Sequence, residues 1–233
     1  MDPANFDVLD DYLMPARLAP YLKACGGDYA KARRLYVWNI EVSAAFWGPI
    51  SGVEIAFRNV LHRALVQHVG RADWWNDGSV NAADVKSAHK EEEQLSRQRA
   101  RIRSAPPLTA DDVVAALSFG FWSSILTGPS KVFEQGKYWH LCLHQAFPKW
   151  AYKPGAVERQ KFVRRVERLR KFRNRVAHHE PVHHRNLAED HDFLVEMARF
   201  MHPDLAEFIN GHSRVAGVLA RRDAAVEHGW CQF

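Results

Sequence analysis

The chain has 233 residues, of which 47% are hydrophobic and 12% aromatic, a composition that is typical of a globular protein and excludes a disordered one. Its net charge is +5 and its sequence pI is near 9.2, so the balance of charge favours acidic partners such as nucleic acid. No apolar run approaches the roughly 20 residues that a membrane helix needs, and we expect no membrane partner.

The cysteines and the start of the chain indicate the compartment. Cys25, Cys142 and Cys231 are odd in number and far apart, which fits a reduced compartment and argues against a zinc–cysteine site. The acidic start, MDPANFDVLDDYL, is unlike a signal peptide. We therefore expect a cytoplasmic protein.

The spacing of apolar residues is helical throughout, and no stretch shows the sustained period-two alternation of an exposed strand. We therefore predict an all-α fold, a helical bundle with additional peripheral helices. The predicted helices, in chain order, are Ala16–Cys25, Asp28–Trp47, Pro49–Val69, Ala83–Arg103, Thr109–Gly128, Trp139–Phe147, Val157–His179, Asp190–Met201 and Asp204–Asn210.

Capping residues and prolines mark the ends of several of these helices. Asp28 is positioned to cap the second helix, and Thr109 with Asp112 forms a capping start for the fifth. Pro49 is expected to bend or restart the chain between the second helix and the third.

Two stretches in the middle of the chain are rich in aromatic residues. Arg71–Ala83 is predicted to be a tryptophan-rich loop. The run Ala115–Trp122 is predicted to be a buried core helix in which Gly120 permits a close helix crossing.

Two apolar helical stripes each carry one charged residue. The first stripe consists of Ile50, Phe57, Leu61 and Leu65, and the second of Phe162, Val166, Leu169, Phe172 and Val176. Glu54 lies on the centre line of the first stripe and Arg173 on that of the second. Because a lone buried charge is costly, we predict a contact between Glu54 and Arg173. The alternative is that Glu54 pairs with Arg58, four residues on in its own helix.

The long basic helix ends in the stretch Arg173–Pro181, where an arginine, an amide and an imidazole converge. Asn174 and His178 are four residues apart and share a helical face, and Pro181 cannot continue the helix. One interpretation is structural: the arginine is buried against a carboxylate, while His178 and His179 cap the C-terminal end of the helix.

The same helix is strongly basic. From Arg159 to Arg175 there are nine lysine and arginine residues against one acid, Glu167. Such a cluster can attract a phosphate backbone, although charge runs are also typical of solvated helix faces. The predicted RNA contacts are Arg164, Arg165, Arg168, Lys171 and Arg175.

The segment His179–His183 matches the zinc-protease pattern H-E-x-x-H letter for letter. That chemistry needs both histidines on one face of a continuous helix, with the glutamate as general base. Pro181 lies between the two histidines and breaks such a helix. We therefore expect no catalytic metal and no cofactor. Adventitious metal binding, which needs no function, is the better interpretation of the clustered histidines His178, His179, His183, His184 and His191.

Three motifs together resemble one protein family. RNRVAHHEP at Arg173–Pro181, ALSFGFW at Ala116–Trp122 and VEIAFRN at Val53–Asn59 are similar to the Abi-like (abortive infection) family of the HEPN superfamily. The resemblance covers roughly Ala30 to Met201. It implies a single domain over residues 1–233 with a HEPN-like core at about residues 28–201.

The resemblance also implies a site and a function. Arg173, Asn174 and His178 match the catalytic element of the family, whereas the expected supporting residues are Glu54, Arg58, Asn59 and His179. Because the histidine is doubled, either His178 or His179 could point into the site. The expected activity is that of a metal-independent endoribonuclease in bacterial phage defence, working as a homodimer whose motif helices face each other. An antitoxin protein or a small RNA is the expected regulator. The alternative is a non-catalytic RNA-binding or regulatory helical module of a defence system.

Overall fold

The computed structural model describes residues 13, 15–78, 82–127, 137–150 and 156–231. Every regular element in these ranges is helical, which confirms the predicted all-α class. The α-helices are α1 (Pro15–Ala24), α2 (Tyr29–Val69), α3 (Ala82–Arg99), α4 (Ala110–Ala116), α5 (Phe119–Thr127), α6 (Lys137–Leu141), α7 (Ala156–Ala177), α8 (Leu187–Met201), α9 (Pro203–Gly211), α10 (Val215–Ala220) and α11 (Arg222–His228). Short 3-10 turns lie at Trp74–Asn76 and Leu143–Ala146. None of the helices in these ranges has the length and apolar character needed to cross a membrane.

The chain divides into two compact units. The first comprises Met1–Val53, Lys171–Met197 and Asp204–Phe233. The second comprises Glu54–Arg170 and Ala198–Pro203. The expectation that residues 1–233 form a single domain stays a prediction.

Helix α2 runs without interruption for 41 residues, although the sequence predicted a bend or a restart at Pro49. A proline inside a helix removes one backbone hydrogen bond and costs roughly 3 kcal/mol. Phe46, Ile50 and Val53 around it are fully buried, and the packing of this stripe offsets the penalty. The start of the helix agrees with prediction, because the backbone N–H of Lys31 donates to the side chain of Asp28 over 3.0 Å.

The first unit packs around the N-terminal part of α2. The indole N–H of Trp38 donates to the carbonyl of Val218 over 3.3 Å, which ties α10 to α2. Gly52 permits a close approach, since a Cβ atom there would lie 3.2 Å from the side chain of Ile209 in α9. Phe46 meets Phe172 of α7 edge to face, with ring centroids 4.9 Å apart.

In the second unit, the prediction of a single core helix over Ala115–Trp122 is wrong. The end of α4 and the start of α5 split this run, because Leu117 is extended and the Ser118 side chain accepts the N–H of Phe121 as a new cap. Gly120 is exposed, and a Cβ atom there would meet only Ser118 Oγ at 3.5 Å. The predicted start of α4 is confirmed by the reciprocal capping box of Thr109 and Asp112.

Aromatic rings form the core of the second unit. Phe162 of α7 packs against Phe147 and Trp139, with centroids 4.4 and 4.9 Å away. The predicted tryptophan-rich loop holds two fully buried indoles. Trp74 donates to His62 and Trp75 to Glu92, each over 3.1 Å. The indole N–H groups of Trp74 and Trp75 therefore have partners despite their burial.

The segment that follows α7 in the first unit has no regular structure and is anchored by one side chain. The amide oxygen of Asn39, on α2, accepts the backbone N–H groups of Val182 and His183 over 2.8 and 3.1 Å. Asn39 itself is buried. Beyond the segment, Arg185 forms a bidentate ion pair with the buried Asp190 at 2.7 and 2.8 Å, which fixes the start of α8.

Replacing Asn39 with alanine is expected to leave two buried backbone N–H groups without an acceptor. Each such group costs about 1–3 kcal/mol, so Asn39→Ala is expected to lower the free energy of unfolding by about 2–4 kcal/mol in a urea titration. Asn210→Ala, at an exposed position on α9, is the control and should change little. An unchanged urea midpoint for Asn39→Ala would show that the anchor contributes no stability.

Candidate functional site

The basic helix α7 ends two residues earlier than predicted, and its end is closed by the backbone. The N–H of Glu180 donates to the carbonyl of Arg175 over 2.8 Å, and the N–H of His179 to that of Val176 over 3.1 Å. His179 has φ of 56°. This is a Schellman motif with a left-handed histidine where glycine is usual. Pro181 therefore follows a helix that has already ended.

The predicted catalytic residues lie together at this helix end, within the first unit. Arg173 and Asn174 are half-buried, whereas His178 and His179 are exposed. The N–H of His178 still bonds the carbonyl of Asn174 over 2.8 Å, so these two residues keep their helical spacing. The stripe residues Phe172 and Val176 are buried as predicted.

The predicted supporting residues are divided between the two units. Glu54, Arg58 and Asn59 belong to the second unit, where Arg58 and Asn59 line a pocket of their own. Glu54 is half-buried. The contact between Glu54 and Arg173 stays a prediction.

A pocket of about 590 Å³ opens beside the end of α7. Its walls come from α1, from α2 and from the end of α7, and consist of Arg17, Tyr36, Asn39, Ile40, Ser43, Ala44, Trp47, Val176, Ala177 and His179. Pockets of this size suit small organic ligands. His179 lines this pocket and His178 does not, so the two adjacent imidazoles have different surroundings.

Several of these lining residues were not predicted from the sequence. Tyr36, Ile40, Ser43 and Trp47 recur at spacings of four, three and four, which places them on one face of α2. The phenol, hydroxyl and indole on this one face were the sequence pattern from which the pocket wall could have been predicted. Arg17 gives no such signal, because α1 brings it to the site from another part of the chain.

Arg17 contacts the end of α7 directly. Its guanidinium donates a hydrogen bond to the backbone carbonyl of His179, where a cation also complements the negative end of the helix.

Burial raises the pKa of Tyr21 to about 12, although the charge of Arg17 opposes this shift. Tyr21 therefore stays protonated at neutral pH and is not a candidate base. The buried hydroxyl of Ser43 has no hydrogen-bond partner among the described residues.

The pocket combines a few polar groups with apolar walls. Arg17 supplies a positive charge, His179 an imidazole, and Asn39 and Ser43 neutral polar groups, while Trp47 presents a ring that is 48% exposed. An aromatic face with a neighbouring guanidinium suits a flat ring that carries an anionic group.

The residues of the H-E-x-x-H pattern do not lie on a helix. The segment from His179 to His183 begins after α7 has ended, and the His183 ring lies against Tyr21 with centroids 4.8 Å apart. In the described ranges no group of three or more histidine, cysteine, aspartate or glutamate side chains is arranged to hold a metal ion.

The predicted RNA-contacting residues on α7 differ in their exposure and in the contacts they make within the chain. Arg164 and Lys171 are exposed. Arg165 lies over the rings of Trp150 and Phe200, 5.6 and 5.4 Å from their centroids, so it also has a packing role. Arg175 donates to the carbonyl of Pro181 over 3.4 Å and lies 3.6 Å from a Glu180 carboxylate oxygen. The spacings of Arg164, Arg168, Lys171 and Arg175 are four, three and four, which aligns these four along one helical face.

Comparison with protein-family models, with curated proteins and with solved structures finds no match. The similarity to the Abi-like HEPN family therefore remains a resemblance, carried by the three motifs at Val53–Asn59, Ala116–Trp122 and Arg173–Pro181.

The left-handed backbone of His179 leads to a prediction about stability. A residue with a Cβ atom pays roughly 1–2 kcal/mol in this conformation and glycine does not. Because glycine also loses more entropy on folding, His179→Gly is expected to raise the free energy of unfolding by about 0.5–1 kcal/mol. His178→Gly, at the neighbouring position, should instead lower it. A loss of stability in both variants would argue that the His179 side chain contributes more than its strain costs.

The buried imidazole of His183 predicts a loss of stability in acid. The pKa of His183 is lowered to about 4, chiefly by burial and in smaller part by the charges of His184 and Arg222. The folded state therefore favours the neutral ring of His183. The stability that this residue contributes is complete above pH 6.5 and is lost as the pH falls towards 4. Between pH 7.5 and 5.0 we expect a loss of about 1–2 kcal/mol from this residue.

The measurement for His183 compares urea unfolding at the two pH values in the wild type and in His183→Phe. The phenyl ring can retain the contact with Tyr21, and it removes Nε2, which is buried with no partner among the described residues. The pH dependence should be smaller in the variant by the stated amount. His191, whose pKa is also lowered by burial, is present in both proteins and cancels. If the unfolding free energy changes equally between the two pH values in both proteins, the loss in acid does not come from His183.

Proposed function

We propose that the protein is a metal-independent endoribonuclease of the HEPN type that acts in bacterial phage defence. The observation that supports this most is the convergence of Arg173, Asn174, His178 and His179 at one helix end, together with the resemblance of this stretch to the family motif. The aligned basic residues of α7 lead up to the same helix end.

The chemistry suits the residue types. Cleavage without metal uses the 2′-hydroxyl of the RNA as nucleophile. It attacks the adjacent phosphorus, the bond to the 5′-oxygen breaks, and a 2′,3′-cyclic phosphate and a 5′-hydroxyl result. The reaction needs a base for the 2′-hydroxyl proton, an acid for the leaving oxygen and stabilisation of a dianionic phosphorane. Histidine suits the proton transfers because it titrates near neutral pH, and a guanidinium suits the phosphorane.

In this proposal His178 transfers protons, Arg173 binds the scissile phosphate and Asn174 positions it. A second imidazole is needed if acid and base are both histidines. A two-fold dimer would supply one from each subunit if the ends of the two α7 helices face each other. His179 is an additional imidazole within the same chain, and its place in the pocket wall suits contact with a base or sugar of the RNA.

The basic face of α7 would supply affinity. Arg164, Arg168, Lys171 and Arg175 lie along one face, and contacts with phosphates give binding that is independent of sequence and sensitive to salt. The rival function is a non-catalytic RNA-binding or regulatory module. It keeps the same helical fold and basic face. The contacts that Arg165 and Arg175 make within the chain give these two side chains structural roles and weigh equally on both functions.

The decisive experiment is an RNA cleavage assay in the presence of EDTA. Loss of general acid–base catalysis slows such reactions by about 100- to 10,000-fold, so His178→Ala should nearly abolish cleavage. RNA binding by the same variant should be almost unchanged, because phosphate contacts elsewhere supply most of the affinity. Arg173→Ala should also impair cleavage, and His179→Ala is expected to have a mild effect.

His184→Ala is the matched control, since His184 is an exposed histidine of the same segment outside the proposed site. Products with 3′-hydroxyl ends, or cleavage that stops in EDTA, would contradict the mechanism. Full activity of His178→Ala would contradict the site. If the wild type binds RNA and never cleaves it, the non-catalytic module is the better description. Light scattering of the same preparations should give the mass of a dimer.

A further inference from the structure

The second unit contains a polar pocket that is lined by none of Arg173, Asn174 and His178, although it includes Arg58 and Asn59, two of the supporting residues implied by the resemblance. Its volume is about 500 Å³, within the range of ligand pockets in proteins. Helices α2 and α4 provide its walls, which are formed by Arg58, Asn59, His62, Arg63, Asp111, Val114 and Ala115. On α2 these residues read Arg58-Asn59-Val60-Leu61-His62-Arg63, so an arginine, an amide and an imidazole occur here a second time.

Arg58 is held in place by one of its donors and retains others. Its Nη1 donates to the carbonyl of Ala115 over 3.0 Å, in the last turn of α4, where carbonyls lack helical partners. Its Nε is buried and has no hydrogen-bond partner among the described residues. A guanidinium that is fixed at one corner and lines the pocket is preorganised to bind an anion through its remaining Nη donors.

His62 is held as a neutral donor. The indole N–H of Trp74 can only donate, so His62 Nδ1, 3.1 Å away, must accept. The proton of the neutral ring therefore lies on Nε2. Burial lowers the pKa of His62, although the charge of Asp111 opposes the shift. The ring can thus donate a hydrogen bond through Nε2 without carrying a charge.

The rim of the pocket carries charges of both signs. Arg63, Asn59 and Asp111 are exposed, and Arg63 forms no ion pair within the described part of the chain. Two guanidinium groups, an amide and an imidazole N–H provide donors for an anionic group. Asp111 is an acceptor that repels a bare anion and attracts hydroxyl or amino groups.

We propose that this pocket binds a ribonucleotide. Arg58 and Arg63 contact its phosphate with help from His62, while Asp111 accepts a hydrogen bond from a ribose hydroxyl. One ligand that carries both an anion and hydroxyl donors satisfies the whole set, whereas inorganic phosphate leaves Asp111 opposed to it. The nucleotide is either a free 5′-mononucleotide or one unit of a single RNA strand. The proposal does not depend on the ribonuclease activity, because no residue of the Arg173–His178 motif lines this pocket.

The test is calorimetric titration of the full chain with adenosine 5′-monophosphate, with inorganic phosphate and with a single-stranded RNA of ten nucleotides. The His178→Ala protein is used throughout, so that cleavage cannot interfere. A charged hydrogen bond contributes about 1.5–3 kcal/mol, so Arg63→Gln should weaken binding of the nucleotide by about 10- to 100-fold. Arg199→Gln is the matched control, at an exposed arginine of the second unit that does not line the pocket.

Two further variants sharpen the result. Asp111→Asn should reduce the preference for the mononucleotide over inorganic phosphate, because the neutral amide oxygen is a weaker acceptor for the ribose hydroxyl and no longer repels the bare anion. Arg58→Gln should also weaken binding, but it loses the bond to Ala115 and can fail to fold, so Arg63→Gln remains the primary variant.

Binding of the mononucleotide that falls in Arg63→Gln supports a site for a free ligand. Binding of the RNA alone, with the same sensitivity, supports a site for one unit of a strand. If neither ligand binds, or if Arg63→Gln and Asp111→Asn bind as the control does, the proposal is wrong. Either result leaves the His178 cleavage assay unaffected, so the two proposals fail separately.

Discussion

The path of the segment that leaves the proposed catalytic helix end depends on the amide oxygen of Asn39. Pro181 prevents the chain from continuing as a helix, and the segment that follows needs acceptors for its buried backbone N–H groups. Asn39 supplies them for Val182 and His183 from a helix more than 140 residues away in sequence. Because the same face of α2 lines the pocket, a single side chain fixes both the path of the segment and one wall of the candidate site.

Much of the fold could be predicted from the sequence because it depends on local patterns. Apolar spacing identified the stripes of α2 and α7, whose residues are buried, and capping patterns located the starts of α2 and α4. The errors have a common cause, since each local rule was outweighed by its surroundings. Packing around Pro49 keeps α2 continuous, and a cap at Ser118 divides a run that is apolar enough for one helix.

The candidate site was only partly predictable. The motif residues are adjacent in sequence and could be recognised together, whereas Arg17 reaches His179 across 162 positions of the chain. No periodic pattern can reveal such a contact, because it depends on how helices pack. Similarly, Arg58 and Asn59 were predicted as supporting residues of the site from the resemblance. Their neighbour Asp111 comes from α4, so the composition of that pocket emerged only from the packing.

The backbone of the segment that leaves α7 has a consequence for how an anion can be held there. The N–H groups of His178, His179 and Glu180 are bonded to carbonyls of α7, and those of Val182 and His183 to Asn39. Pro181, between them, has no N–H. This stretch of backbone therefore has no amide left to form an oxyanion hole of the kind that many hydrolases build from main-chain donors. In the proposed reaction, negative charge at this helix end would have to be stabilised by side chains, which is the role proposed for the guanidinium of Arg173.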